Sequence, residues 1–232
     1  MSRPLRGALL VEGHGEIAAA PVLLNRLWRH LGFDPIVVWE RPLLRDTALK
    51  NADCLERTLQ NLWREIRKFD ALMVVYDADF EVTPPGQPKR KACPKLDGPA
   101  AAKIMRAAKL LIPAAVVLPC PEYEHWIIAS LPAIQGRPVC DPRSGAQLTT
   151  IKADCSTALT HIGHRDAKFA VGRFLESDEY EPTTHQAALT ALLDFDHLQQ
   201  PAIDAHVPAF GTLCRACRHI HANLGQAGAV YP

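Results

Sequence analysis

The sequence has almost no net charge, with 26 lysines and arginines facing 25 aspartates and glutamates for a formal value of +1. A chain so balanced is not a wholesale polyanion binder, so any grip on nucleic acid must come from a local patch. Also missing are an apolar run long enough to span a bilayer and an opening secretory leader. The seven cysteines are odd in number and lack paired spacing. That excludes a disulfide framework and points to a reducing, cytoplasmic setting with no membrane attachment. Neither an internal repeat nor a low-complexity tract occurs. What is abundant is apolar side chain: 48% of 232 residues, ample for one core.

The chain alternates strand and helix signals. Gly7 to Val11 reads as a buried strand, and Ile17 to Leu31 carries apolar residues on one helical stripe. Pro35 to Trp39 is a β-branched second strand that closes a βαβ unit. The stripe Leu55, Leu59, Leu62 and Ile66 predicts a helix from Asn51 to Lys68, followed by a central strand from Ala71 to Tyr76. Val82 to Pro99, rich in proline and lysine, predicts a long irregular loop. A helix from Ala100 to Leu111, a strand from Ala114 to Leu118 and a short helix opened by Pro121 to Trp126 repeat the pattern. Beyond Pro132 the signals weaken to helices near Ser156 to Ile162, Gln186 to Leu193 and Ala209 to Leu224. The expected fold class is α/β: a parallel sheet flanked by helices, with an α/β core over 1–132 and a mainly helical extension over 133–232 packed on it as one unit.

Three of the predicted strands finish in acid. Glu12 and Glu16 follow the first, Asp77, Asp79 and Glu81 the central one, and Glu122 and Glu124 the third. Carboxyl ends of parallel strands share one edge, where open α/β sheets place their ligands. Acids gathered there repel one another and raise each other's pKa unless a cation sits among them. Hard oxygen ligands suit Mg²⁺ or Mn²⁺, and paired ions of this kind clamp phosphoryl groups for in-line displacement. Directly after the central cluster come Lys89, Arg90, Lys91 and Lys95, a local basic patch able to hold a nucleic-acid backbone and equally able to be a solvated loop.

The segment Val11-Glu12-Gly13-His14-Gly15-Glu16, with Tyr76-Asp77-Ala78-Asp79-Phe80-Glu81 later in the chain, resembles the Toprim domain of topoisomerases, primases and OLD-type nucleases. The second acid after Glu-Gly matches the nuclease version. With Glu122-Tyr123-Glu124, Tyr180 and Thr183-Thr184-His185-Gln186, the chain is similar to a small stand-alone bacterial Toprim-like family of unknown function. The resemblance implies a Toprim/Rossmann-like sheet and Mg²⁺- or Mn²⁺-dependent hydrolysis of DNA or RNA phosphodiesters, in a defence or repair setting. It makes Glu12 the acid/base group or a bridging ligand, and Asp77 and Asp79 the metal holders. Glu16, Glu81 and Glu124 become further ligands. Lys168 and His185 are accessory candidates. A second reading keeps the fold without catalysis, as partner or regulator of an ATPase encoded nearby.

Two other motifs compete. Gly13-x-Gly15-x-x-Ala18, with Glu40 closing the second strand, fits a dinucleotide fingerprint. Glu12 and Glu16 would repel a pyrophosphate on that helix terminus, so no NAD is expected. Cys214, Cys217, His219 and His221 suggest zinc, but their spacing is too tight for a finger and Cys214 and Cys217 fall on an apolar helical stripe. They are expected to pack, without zinc.

Overall fold

The structure is a computed structural model that describes residues 4–45, 47–83, 88–163 and 166–232. Strand β1 (Leu5–Val11) leads into α1 (Glu16–His30), and β2 (Val37–Trp39) and β3 (Leu44–Arg45) follow. A 3₁₀ turn at Thr47–Lys50 precedes α2 (Ala52–Asn61), α3 (Trp63–Ile66) and β4 (Ala71–Val75). A small antiparallel hairpin, β5 (Glu81–Val82) with β6 (Arg90–Lys91), leads to α4 (Pro94–Ala107), β7 (Ala114–Val117) and α5 (Glu124–Ile134). The remainder comprises a second hairpin, β8 (Pro138–Cys140) with β9 (Gln147–Thr150), then α6 (Ala167–Arg173), α7 (Pro182–Thr190), α8 (Phe195–Leu198), α9 (Pro201–Asp204), α10 (Pro208–Ala222) and β10 (Val230–Tyr231).

The main sheet runs in the order β10-β7-β4-β1-β2, with β3 continuing the β2 edge farther along β1, and every pairing in it is parallel. Both faces are covered, which is why β1, β4 and β7 read as unbroken apolar runs. Leu9, Val11, Met73 and Val117 face the α1, α5 and C-terminal helix side, whereas Leu10, Val74, Val116 and Leu118 face α2 and α4. The chain thus crosses one face between β1 and β2 and the other on its way to β4. The β1/β4 boundary is where the strand order reverses and where such sheets open a crevice.

Several predicted boundaries shift. The second strand starts at Val37, because Pro35 has no N–H to give a ladder. The helix expected over Asn51 to Lys68 begins after Asn51, whose side chain accepts from Asp53 N and Cys54 N as an N-cap, and breaks at Leu62 (φ −90°, ψ 3°). The region expected as a loop to Pro99 holds the β5–β6 hairpin, and α4 starts at Pro94, where a first-turn proline loses no bond; residues 84–87 lie outside the described residues. Ser156 to Ile162 contains only a 3₁₀ turn at Ala158–His161, and the helix expected from Gln186 starts four residues earlier. The final helix begins at Pro208. The 133–232 portion is more than a cover, since β10 extends the sheet and its helices share one core with α1 and α5. No helix among the described residues is long and apolar enough to cross a membrane.

Candidate metal centre

Because β1, β4 and β7 are parallel, their carboxyl ends bring Glu12, Asp77, Asp79 and Glu124 to one edge, and the α1 start adds Glu16. These five acids, with Lys168 and Gln186, line one cavity of about 420 Å³. Asp77 is half-buried, and its Oδ1 accepts from Tyr123 N at 2.9 Å. Burial pushes its pKa well above the ordinary value, and Glu16, Glu124, Glu12 and Asp79 push it further. Beside it, Glu12 Oε2 accepts from Asp77 N at 3.0 Å and Oε1 pairs with Lys50 Nζ at 2.7 Å. Burial still outweighs the lysine and raises the Glu12 pKa.

The turn between β1 and α1 is shaped by glycine. Gly13 N donates to Glu16 Oε2, folding that carboxylate back over the turn. Gln186 Nε2 donates to Glu16 Oε1 at 3.3 Å, and the Gln186 Oε1 occupies the space a Cβ at Gly15 would need. Only glycine at position 15 lets α7 come this close. Glu124 is 1% exposed; its Oε1 accepts from Tyr180 OH at 3.1 Å and its Oε2 has no partner among the described residues. Burial lifts its pKa to about 7, against the opposing pull of Lys168. Lys168 Nζ lies 3.6 Å from Glu122 Oε2; burial works against its charge, but the surrounding acids, Glu124 first, hold its pKa above the usual value.

Other predicted residues stand apart from the cavity. Glu81, on β5, pairs with Lys89 and lines a neighbouring cavity of about 570 Å³. Arg90 is held by Asp97 through two 2.8 Å bonds, while Lys91 and Lys95 are exposed. His185 Nδ1 accepts from Glu181 N at 2.9 Å, a bond within the start of α7. Glu40 pairs with Arg6, with Arg6 Nη2 2.9 Å from Glu40 Oε2. Cys214 and Cys217 are buried in the core and burial raises both thiol pKa values, while His221 stacks on Phe33 at 4.4 Å.

Three residues central to the site were not among the sequence candidates. Lys50 bridges Glu12 and Asp79. Gln186 clamps Glu16 and Tyr180 clamps Glu124. Tyr180 and Gln186 entered the sequence reading only as part of the resemblance, with no role attached to either. Lys50 had no sequence signal, because it ends an irregular stretch after β3.

Among the described residues no three acidic, histidine or cysteine side chains form a finished cation cage; their nearest partners are protein donors. The acids of the cavity nonetheless suit a hard cation, since one buried carboxylate oxygen has no partner among the described residues and Asp77 is disfavoured in its charged form. Comparison of the chain with protein-family models, with curated proteins and with solved structures gave no match.

Proposed function

We propose that the chain is a cytoplasmic Mg²⁺- or Mn²⁺-dependent phosphodiesterase acting on DNA or RNA, a Toprim-like nuclease of the OLD type. The observation that carries this reading is Asp77, desolvated among four other carboxylates at the strand-order reversal. Such a cluster is destabilising by itself and becomes favourable around a divalent cation. Asp77, Asp79 and Glu16 would hold the ion, which when bound supplies Lewis acidity toward a phosphate oxygen and acidifies a water. Glu12, with its raised pKa, accepts or returns a proton at its Oε1. Lys168 stays protonated at the cavity and offsets negative charge on the phosphate. The exposed Lys91 and Lys95 supply backbone contacts of the salt-sensitive kind.

A panel of plasmid, single-stranded DNA, ribosomal RNA and transfer RNA with Mn²⁺ or Mg²⁺ tests this on the wild type and on Glu12→Gln. Expected is cleavage by the wild type that falls at least about a hundredfold in the variant, the size of a lost acid/base group. Cleavage at full rate by Glu12→Gln would defeat the assignment. One observation favours a second reading: Lys50 already neutralises Glu12 and Asp79, as suits a non-catalytic partner of an ATPase. Metal binding without cleavage, with or without that ATPase, would decide for the partner.

A further inference from the structure

The Lys50 ammonium stands where two cavities meet. It pairs with Glu12 Oε1 at 2.7 Å and with Asp79 Oδ1, both on the acidic cavity, and it also lines the neighbouring cavity of about 570 Å³ with Tyr76, Phe80 and Thr83. Its side chain is 17% exposed, and Nζ lies 5.5 Å from the Phe80 ring centroid. Among the described residues six carboxylates, Glu181 included, line the acidic cavity, against Lys168 in the lining and the Lys50 ammonium on Glu12 and Asp79. Glu124 Oε2, buried and without a partner among the described residues, adds acceptor capacity that neither lysine meets.

We propose that Lys50 is a displaceable internal counter-ion: its ammonium holds Glu12 and Asp79 until a divalent cation enters, then turns to a phosphate of the bound phosphodiester at the mouth of the neighbouring cavity. This rests on the cation reading of the acidic cavity and adds how that cavity is regulated. The two cations exclude one another at Asp79, whose oxygen a divalent ion needs at ~2.0–2.1 Å in its own octahedron, and the departing ammonium leaves Glu12 Oε1 free to take a proton. The released lysine head then shares a cavity with Asp53, Glu81 and Asp97, where Lys89 holds Glu81 and Arg90 holds Asp97, and a phosphodiester offers it a charge-assisted partner. Metal and substrate therefore strengthen each other's binding, a coupling that must act equally in both directions. Metal affinity is held low until substrate arrives.

Calorimetric titration with Mn²⁺ of the wild type, Lys50→Met and Lys50→Arg tests the competition. Lys50→Met is expected to bind Mn²⁺ about tenfold tighter, as one competing charge at a half-buried pair implies, with Lys50→Arg within about threefold of wild type. A phosphorothioate thymidine oligomer should tighten Mn²⁺ binding to the wild type more than to Lys50→Met, the difference being the share of the coupling that runs through Lys50 rather than through contact of ion and phosphate. Equal or weaker Mn²⁺ binding by a folded Lys50→Met overturns the proposal, as does an oligomer without effect on the wild type. Should Lys50→Met not fold, the side-chain ¹⁵N resonance of Lys50 in the wild type decides, through its shift on Mg²⁺ addition or its constancy. Absence of Mn²⁺ binding by all three proteins would instead remove the cation reading beneath it.

Discussion

Burial lifts the Glu124 carboxyl to about 7 from an ordinary 4.5, so the folded chain holds this proton more tightly than the unfolded one. The resulting stabilisation is complete below the unfolded value and is lost as pH rises through 7. Its size is on the order of 3 kcal/mol at most, given ~1.4 kcal/mol per unit. Urea unfolding without divalent ions, from about pH 5 to about pH 8, should show stability falling through this window, and Glu124→Gln should flatten the fall. An unchanged slope in Glu124→Gln would assign it to another group. Asp77, raised by burial and by four neighbouring acids, predicts the opposite of an ordinary loss-of-function change. Asp77→Asn should raise the melting temperature of the metal-free protein, by ~1 kcal/mol in stability, and abolish the further rise that Mn²⁺ gives the wild type. A lower melting temperature without metal would show that the Asp77 charge is already well compensated. The acids were legible in the sequence because each follows an apolar strand, and parallel strands bring their ends to one edge. Lys50 was not, because nothing in local periodicity says that an irregular stretch returns to Glu12.

At the level of elements, the β1–α1 turn and α7 are interlocked through one missing side chain. A methyl at position 15 would overlap Gln186 Oε1 and reach Pro182 Cβ at 3.0 Å, so Gly15→Ala must move α7 or unseat the clamp on Glu16. The expected cost is about 1–3 kcal/mol, typical of overpacking, and Gln186→Ala in the same chain should return part of it. Chemical denaturation of the two single variants and the double gives the coupling directly; strict additivity would mean that the two residues do not meet. The α/β alternation itself was readable from unbroken apolar strands and from stripes such as Leu55 and Leu59. Irregular capping misled the boundaries. Pro94 reads as a breaker in sequence yet sits at the first position of α4, where its missing N–H has no helical partner to lose. The break at Leu62 is equally silent, since Leu62 and Ile66 continue the stripe across it.

Across the whole molecule, no cut at residue 132 separates a core from an appendage. β10 pairs with β7, α10 covers that strand, and α7 packs on α1. A fragment ending at residue 132 would expose the face lined by Leu9, Met73 and Val117. We expect it to lack a cooperative unfolding transition and to bind a hydrophobic dye, whereas sharp two-state melting would show an independent domain. The reach of the Gln186 clamp has a consequence in time. Glu16 and Gln186 are separated by 170 residues, and at ~5–20 residues per second a ribosome needs on the order of ten to thirty seconds to pass from one to the other. Until Gln186 is made, the nascent chain carries each acid of the site as it is synthesised without the residue that holds Glu16. Whatever chemistry the cavity performs begins only after most of the polypeptide has emerged, so its own messenger RNA and the translating ribosome meet an unfinished site.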